Sequence, residues 1–171
     1  MPAHRLSPRV RTTLRAALAA WVVILAVTLL APSATGPSWL VETVAGALSR
    51  LGVPDALAAP ARVEFGLNVA AFVPLSLLGA VLWPRLIWRD WTALGFASSF
   101  LVEVVQAVAF DARSATHADV VANTLGTLIG ALLGHLVARI LGAKARKAGA
   151  SEGGADLPDR HSPTEELEPP R

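Results

Sequence analysis

The chain of 171 residues contains no cysteine, which excludes disulfide bonds, thiolate metal sites and a cysteine nucleophile. Charged residues make up only 16% of it, with 15 Lys and Arg against 13 Asp and Glu, so no nucleic-acid partner is expected. The sequence also lacks a phosphate-binding loop and any nucleophile motif. No metal and no cofactor are expected, because ligand spacing is absent among the four histidines, His4, His117, His135 and His161.

Apolar residues make up 53% of the chain, a share typical of a small multi-span membrane protein. Stretches of about 20 residues can cross roughly 30 Å of hydrocarbon as helices, and four are present, at residues 14–31, 63–83, 91–110 and 119–141. We therefore predict an all-α membrane protein, a compact bundle of about four transmembrane helices. The first span, assigned to 14–32, follows a basic N-terminus at 1–13, and the other three form a core at 63–141.

The basic residues predict how the spans are oriented in a bacterial plasma membrane, because Lys and Arg are enriched in cytoplasmic flanks. The outer side receives only Arg50, Arg62 and Arg113. The side predicted to be cytoplasmic receives ten, namely Arg5, Arg9, Arg11, Arg15, Arg85, Arg89, Arg139, Lys144, Arg146 and Lys147. Both termini of this multi-pass protein are therefore expected in the cytoplasm.

The first span has an alternative interpretation as a cleaved signal peptide, since a basic flank precedes it and small residues follow at 31–34. Its apolar core is long for a signal peptide, which favours a retained helix. The orientation of the other three spans is the same in both cases.

Two further segments flank the predicted spans. Residues 38–52 have a helical apolar period but are too short to span, which predicts an interfacial or re-entrant helix on the outer side, or a plain packing helix. Residues 149–171 are rich in Gly, Pro and acids, which predicts a disordered acidic cytoplasmic tail.

Polar residues inside the apolar stretches indicate the candidate site, because an ionised carboxyl near the centre of a membrane helix costs about 2.5–3.5 kcal/mol on insertion scales. Helical spacing of three or four residues places two side chains on one face of a helix. In the third span, Ser99 therefore shares a face with Glu103 and Gln106. The predicted topology places polar residues from three of the spans at one depth, in the outer leaflet. The candidate ligand-binding residues are Glu64, Asn68, Glu103, Gln106, Arg113, Asp119 and Asn123.

Plainer roles are open for several of these residues. Asp119 could cap the fourth helix, Glu64 could be solvated near the interface, and the amide side chains could be interhelical glue. Glu103 is harder to explain in this way, because a carboxyl about two turns inside hydrocarbon needs a partner or a neutralising proton. Arg113 is the first candidate partner, and Arg62 is the second.

The fourth span carries Gly126, Gly130 and Gly134 at intervals of four, a small-residue pattern that allows another helix to approach closely. We expect packing inside the bundle, with Asp119 and Asn123 lying against the third span. Homodimerisation through the same glycines is the alternative.

Three motifs in the core share their order and spacing with a known family. They are Asn68-Val-Ala-Ala-Phe-Val-Pro-Leu, Ser99-Phe-Leu-Val-Glu-Val-Val-Gln and Arg113-Ser-Ala-Thr-His-Ala-Asp-Val-Val-Ala-Asn-Thr-Leu-Gly, continuing to Gly130. On these motifs the chain resembles the VanZ-like family of bacterial integral membrane proteins over about 63–141. Ser76 stands where that family often has glycine, and the first span and the tail carry no family signal.

The resemblance implies a cell-envelope protein, since founding members are linked with reduced susceptibility to the lipoglycopeptide teicoplanin. Three hypotheses follow. The protein binds a lipid-linked or amphiphilic envelope ligand in the outer-leaflet polar pocket, with Arg113 matching an anionic group. Alternatively, it is an intramembrane enzyme acting on a lipid-linked precursor, with Glu103 as general acid or base and Asp119 or Glu64 orienting it. The third hypothesis is a helix-packing module without a small ligand.

Overall fold

The computed structural model describes residues 6–30, 35–109 and 117–153 of the chain. Every regular element in these ranges is an α-helix, which confirms the all-α fold class. The helices are α1 (Pro8–Leu30), α2 (Thr35–Arg50), α3 (Asp55–Ala58), α4 (Pro60–Leu82), α5 (Trp88–Ala109) and α6 (His117–Gly153).

Three segments are long and apolar enough to cross a membrane, namely Pro8–Thr28, Pro60–Leu82 and His117–Lys147. Large apolar side chains on these helices remain exposed, including Val27 at 67% and Val121 at 57%. A protein surrounded by water rarely exposes apolar surface on this scale, whereas lipid accommodates it. The third predicted span forms α5, whose 22 residues rise about 33 Å, but it is not among these three segments, so the total of four spans stays a prediction.

The most extensive helix contact joins α4 to α6, and glycines make it close. A Cβ atom on Gly134 would lie 2.6 Å from the Leu77 carbonyl oxygen, and one on Gly126 or Gly130 would collide with the carbonyl of Val69 or Val73. Successive glycines meet successive turns of α4 in the same order, so the two helices run parallel.

α5 runs antiparallel to α6 and contacts it through another glycine. A Cβ atom on Gly95 would lie 2.6 Å from the Cβ of Thr127. One turn further along α5, Ser99 meets Asn123, which lies one turn earlier on α6. The start of α5 also packs on α4, because the Trp91 ring covers Gly79.

α1 is joined to α4 by a side-chain hydrogen bond. The Trp21 indole Nε1 donates to the Ala71 carbonyl oxygen at 2.8 Å, within one turn of Pro74. Proline lacks the amide hydrogen that closes a helical turn, so Pro74 removes the helical donor of the Ala70 carbonyl, which neighbours Ala71. This contact makes α1 part of the bundle, and retention of α1 rather than its cleavage as a signal peptide stays a prediction.

α2 packs along the first half of α4, where Val41 and Ala45 bury against Val63. It ends at Arg50, and Gly52 follows with a φ of +79°, which permits the left-handed turn. The Val53 amide then bonds back to the Leu48 carbonyl and the Gly52 amide to that of Ser49, which is the Schellman pattern. The segment predicted at 38–52 is thus helical up to Arg50 and packs on α4, and its placement relative to the membrane stays a prediction.

At two places the helices extend beyond the predicted segments. α1 begins at Pro8 rather than residue 14, because Ser7 Oγ accepts the Val10 amide as an N-cap and Pro8 suits the first helical position. α6 continues to Gly153, so the first residues of the tail predicted at 149–171 are helical. The Ala, Lys and Arg residues of 143–148 are strong helix formers and extend the helix beyond the apolar segment. Residues 154–171 lie outside the described ranges.

Candidate functional site

The first polar contact links the first turn of α6 to the third turn of the parallel helix α4. Asn68 Nδ2 on α4 donates a hydrogen bond of 2.7 Å to Asp119 Oδ1 on α6. Asp119 lies in the first turn of α6, where a carboxylate also suits the positive end of the helix dipole. Both side chains are half-buried, so Asp119 bridges two helices in addition to any capping role.

The second contact lies one turn deeper along α6 and joins it to α5. Asn123 Nδ2 donates to Ser99 Oγ at 2.9 Å, and the two residues are only 3% and 1% exposed. Asn123 Oδ1 is buried and accepts no hydrogen bond from the described part of the chain. A buried acceptor without a donor costs about 1–3 kcal/mol, so this oxygen is a candidate contact for an added group.

Glu103 follows Ser99 by one helical turn on α5 and is half-buried, with its Oε2 atom inaccessible to solvent. Four residues turn a helix by only about 40° beyond a full circle, so Glu103 extends the same face toward the end of α5. We refer to Asn68, Ser99, Glu103, Asp119 and Asn123 as the polar cluster.

Below the cluster, the contact between α5 and α6 continues through Thr127 and Gly95. The Thr127 hydroxyl donates to the Asn123 carbonyl within α6 at 2.8 Å, while its side chain fills the space above Gly95. Sequence reasoning did not single out Thr127 or Gly95. The signal was available in part, since Thr127 continues the four-residue row of Asp119 and Asn123.

Glu64 does not join this cluster and is exposed, although it shares a helical row with Asn68. Burial falls steadily along that row, from Ser76 at 0% and Phe72 at 5% to half-buried Asn68 and exposed Glu64. Each step of four residues moves the side chain about 40° round α4, so the row leaves the α6 contact before it reaches Glu64.

Two predicted residues cannot be placed at the site. Gln106 belongs to α5, but its side chain is outside the described part, and Arg113 lies outside the described residues altogether. The pairing of Arg113 with Glu103 therefore stays a prediction. Of the other nearby candidates, Arg62 is exposed on α4 and His117 is exposed as the first residue of α6.

The glycine ridge, Gly126, Gly130 and Gly134, packs within the bundle as expected, but against α4 rather than the predicted third span. Accordingly, Asp119 meets α4, whereas only Asn123 meets α5. The two differ because Asn123 lies about 40° further round α6, beyond the centre of the α4 contact.

The described residues contain no group of three or more His, Asp or Glu side chains that could hold a metal ion. Two continuous apolar cavities lie instead along α5 and α6, on the side that includes Phe96 and Thr124. With two carboxylates and two amides, the polar cluster is chemically suited to hydrogen bonding.

Comparisons with known proteins extend the sequence resemblance. No curated protein matches the chain. No solved structure matches it either. A family model described as VanZ/LLP1 matches residues 17–138, which adds much of α1 and all of α2 to the region that the motifs indicated. The match covers well over half of the sequence and includes every residue of the polar cluster, and on this basis the chain belongs to the VanZ/LLP1 family.

Proposed function

We propose that this membrane protein binds the polar head group of an envelope amphiphile, a lipid-linked component or a lipoglycopeptide such as teicoplanin, at the polar cluster. The observation that carries the proposal is the meeting of polar groups from α4, α5 and α6 at one end of the bundle. Helix packing alone needs only the glycine ridge.

The exposure of the cluster supports entry of a ligand from outside the bundle. Asn68, Asp119 and Glu103 are half-buried and keep some accessible surface, while Ser99 and Asn123 lie behind them. A ligand that approaches Asp119 or Glu103 therefore meets acceptor oxygens first.

The chemistry of the cluster favours a head group rich in hydrogen-bond donors. Carboxylates only accept hydrogen bonds when ionised, and Asn123 Oδ1 also accepts. Amide, hydroxyl or ammonium groups of a ligand would match these oxygens. The predicted position of Arg113 between α5 and α6 would add a partner for an anionic group.

The burial of Glu103 Oε2 favours a second candidate function, an intramembrane enzyme for a lipid-linked envelope precursor. A carboxyl in this position is a candidate general acid or base, and Asp119, one turn from Asn123 on the helix that faces α5, is the candidate orienting partner. Glu64 is exposed, which makes it a weaker orienting partner.

The test uses the full chain in lipid nanodiscs, titrated with teicoplanin and with a glycopeptide that lacks the acyl chain. We expect the acylated ligand to bind more tightly, and Asp119→Asn and Glu103→Gln to weaken it at least fivefold. Glu42→Gln, on an exposed part of α2, is the matched control and should bind like the parent. If the parent and all three variants bound teicoplanin with equal affinity, teicoplanin would not be a ligand of the polar cluster.

A companion measurement in cells separates the remaining hypotheses. Each variant is assayed for membrane abundance and for susceptibility to teicoplanin and to envelope stress. Loss of the phenotype at normal abundance supports a ligand site. If Glu103→Gln alone abolishes the phenotype while binding persists, the enzyme is favoured. A phenotype that falls only with abundance supports the packing module.

A further inference from the structure

We infer that a groove between α5 and α6, lined by residues other than those of the polar cluster, binds one acyl chain of an anionic phospholipid whose phosphate pairs with Arg89. Two cavities of about 400 Å³ and 280 Å³ form this groove. Both are lined by Phe96 and Thr124, so they are continuous. We call them together the seam groove.

The walls of the seam groove are apolar in effect, although two threonines line them. Thr124 Oγ1 donates to the Val120 carbonyl at 2.6 Å, and Thr92 Oγ1 donates to the Trp88 carbonyl at 2.8 Å. Each hydroxyl is thus satisfied within its own helix, which leaves the methyl group for the groove. Phe96, Leu125 and Leu128 supply the rest of a surface suited to hydrocarbon.

One end of the seam groove is cationic, and this charge selects the occupant. Arg89 lines the groove and lies over the Trp88 ring, with 5.2 Å from its Cζ to the ring centroid. The neighbouring acid, Asp90, is engaged elsewhere, because its Oδ2 accepts the Ile87 amide at 2.8 Å. A guanidinium group at the mouth of an apolar groove is complementary to a phosphate attached to an acyl chain.

The dimensions of the groove agree with this placement. Arg89 precedes Phe96 by seven residues, a rise of about 10 Å along α5, and the groove continues past Phe96 to Val121. The phosphate would lie at the start of α5, in the leaflet that the arginine distribution predicts to be cytoplasmic. None of these residues belongs to the polar cluster, so the inference does not depend on the proposed function.

The experiment uses the full chain in phosphatidylcholine vesicles that contain a few per cent of a photoreactive lipid. The probe is phosphatidylglycerol with a diazirine in its acyl chain, and phosphatidylcholine with the same chain is the matched probe. After illumination, the labelled residues are mapped by mass spectrometry. We expect at least threefold more labelling of residues 93–96 and 124–128 by the anionic probe.

Two variants and a control test the assignment. Arg89→Gln should reduce anionic labelling to the level of the neutral probe, while Arg50→Gln, exposed at the end of α2, should leave it unchanged. Ala93→Phe should fill the groove and reduce labelling there severalfold by both probes. Labelling of the exposed face of α1 at Val23 and Val27 should persist in every variant, which reports an intact, inserted protein. Equal labelling by the two probes, or anionic labelling that survives Arg89→Gln, would overturn the inference in favour of ordinary annular lipid.

Discussion

Asn68 and Asp119 lie 51 positions apart in sequence, yet a 2.7 Å hydrogen bond joins their side chains across the contact between α4 and α6. The bond links the first turn of α6 to the third turn of α4, and the glycine ridge lies further along the same interface. The contact between α4 and α6 thus begins with a polar side-chain pair and continues as close backbone packing at the glycine ridge.

A double-mutant cycle on this pair should give a positive coupling energy. Interhelical hydrogen bonds in membranes average about 0.6 kcal/mol and reach about 1.7 kcal/mol, and we expect the upper part of that range because one partner is a carboxylate. The cycle uses Asn68→Ala and Asp119→Ala, with unfolding measured by denaturant titration in bicelles. The matched cycle of Glu64→Ala with Asp119→Ala should show coupling near zero. Similar values in both would contradict a specific bond.

Replacing Gly130 by alanine should destabilise the protein by about 1–3 kcal/mol, the usual cost of overpacking a well-packed contact. The added methyl would meet the Val73 carbonyl and Ser76 Oγ, and helix backbones cannot shift independently to make room. Gly142→Ala is the control on the same helix, because nothing lies within 4 Å of its Cβ position. Thermal unfolding in detergent compares them, and equal stability would show that the ridge is not a tight contact.

Removing the hydroxyl of Ser99 should cost about 1–3 kcal/mol, because the buried Asn123 amide would lose its acceptor. Ser98→Ala on the adjacent position should change stability by no more than about 0.5 kcal/mol, since Ser98 is exposed and bonds only to its own helix at Gly95. Denaturant titration measures both variants. If they are equally destabilised, the loss does not come from the contact between α5 and α6.

Trp21→Phe should loosen α1 from the bundle. The ring stays apolar, but the hydrogen bond to the Ala71 carbonyl is lost, at a cost of about 0.5–1.5 kcal/mol. Trp39→Phe on α2 serves as control, because that side chain is 67% exposed. Limited proteolysis in detergent should cleave the Trp21 variant faster after α1, and an unchanged rate would mean that the bond does not hold the helix.

The predicted orientation can be tested with single cysteines, since the chain has none of its own. Ser49→Cys on α2 should react with a membrane-impermeant maleimide in intact cells. Lys147→Cys near the end of α6 should react only after the membrane is opened, because both termini are predicted to be cytoplasmic. The reverse pattern would contradict the charge-based topology.

Several features of the fold could be predicted because they depend on local sequence. Apolar runs of about 20 residues and their proline boundaries located the long helices to within a few residues, except at the two outer ends. Four-residue spacing predicts Asp119 near Asn123, and Ser99 near Glu103, along one side of each helix. The extension of α6 to Gly153 was missed because the apolar pattern ends near residue 141, whereas helix-forming Ala, Lys and Arg residues continue the helix beyond it.

The sequence by itself determined the helical class, the family motifs and the faces on which polar residues lie, since these follow from composition and from the 3.6-residue period. Only the tertiary structure decided which faces meet. It paired Asp119 with α4 and Asn123 with α5, and it left Glu64 exposed. The rotation of each helix about its axis is set by how closely glycines let backbones approach, and that depends on residues far apart in the chain.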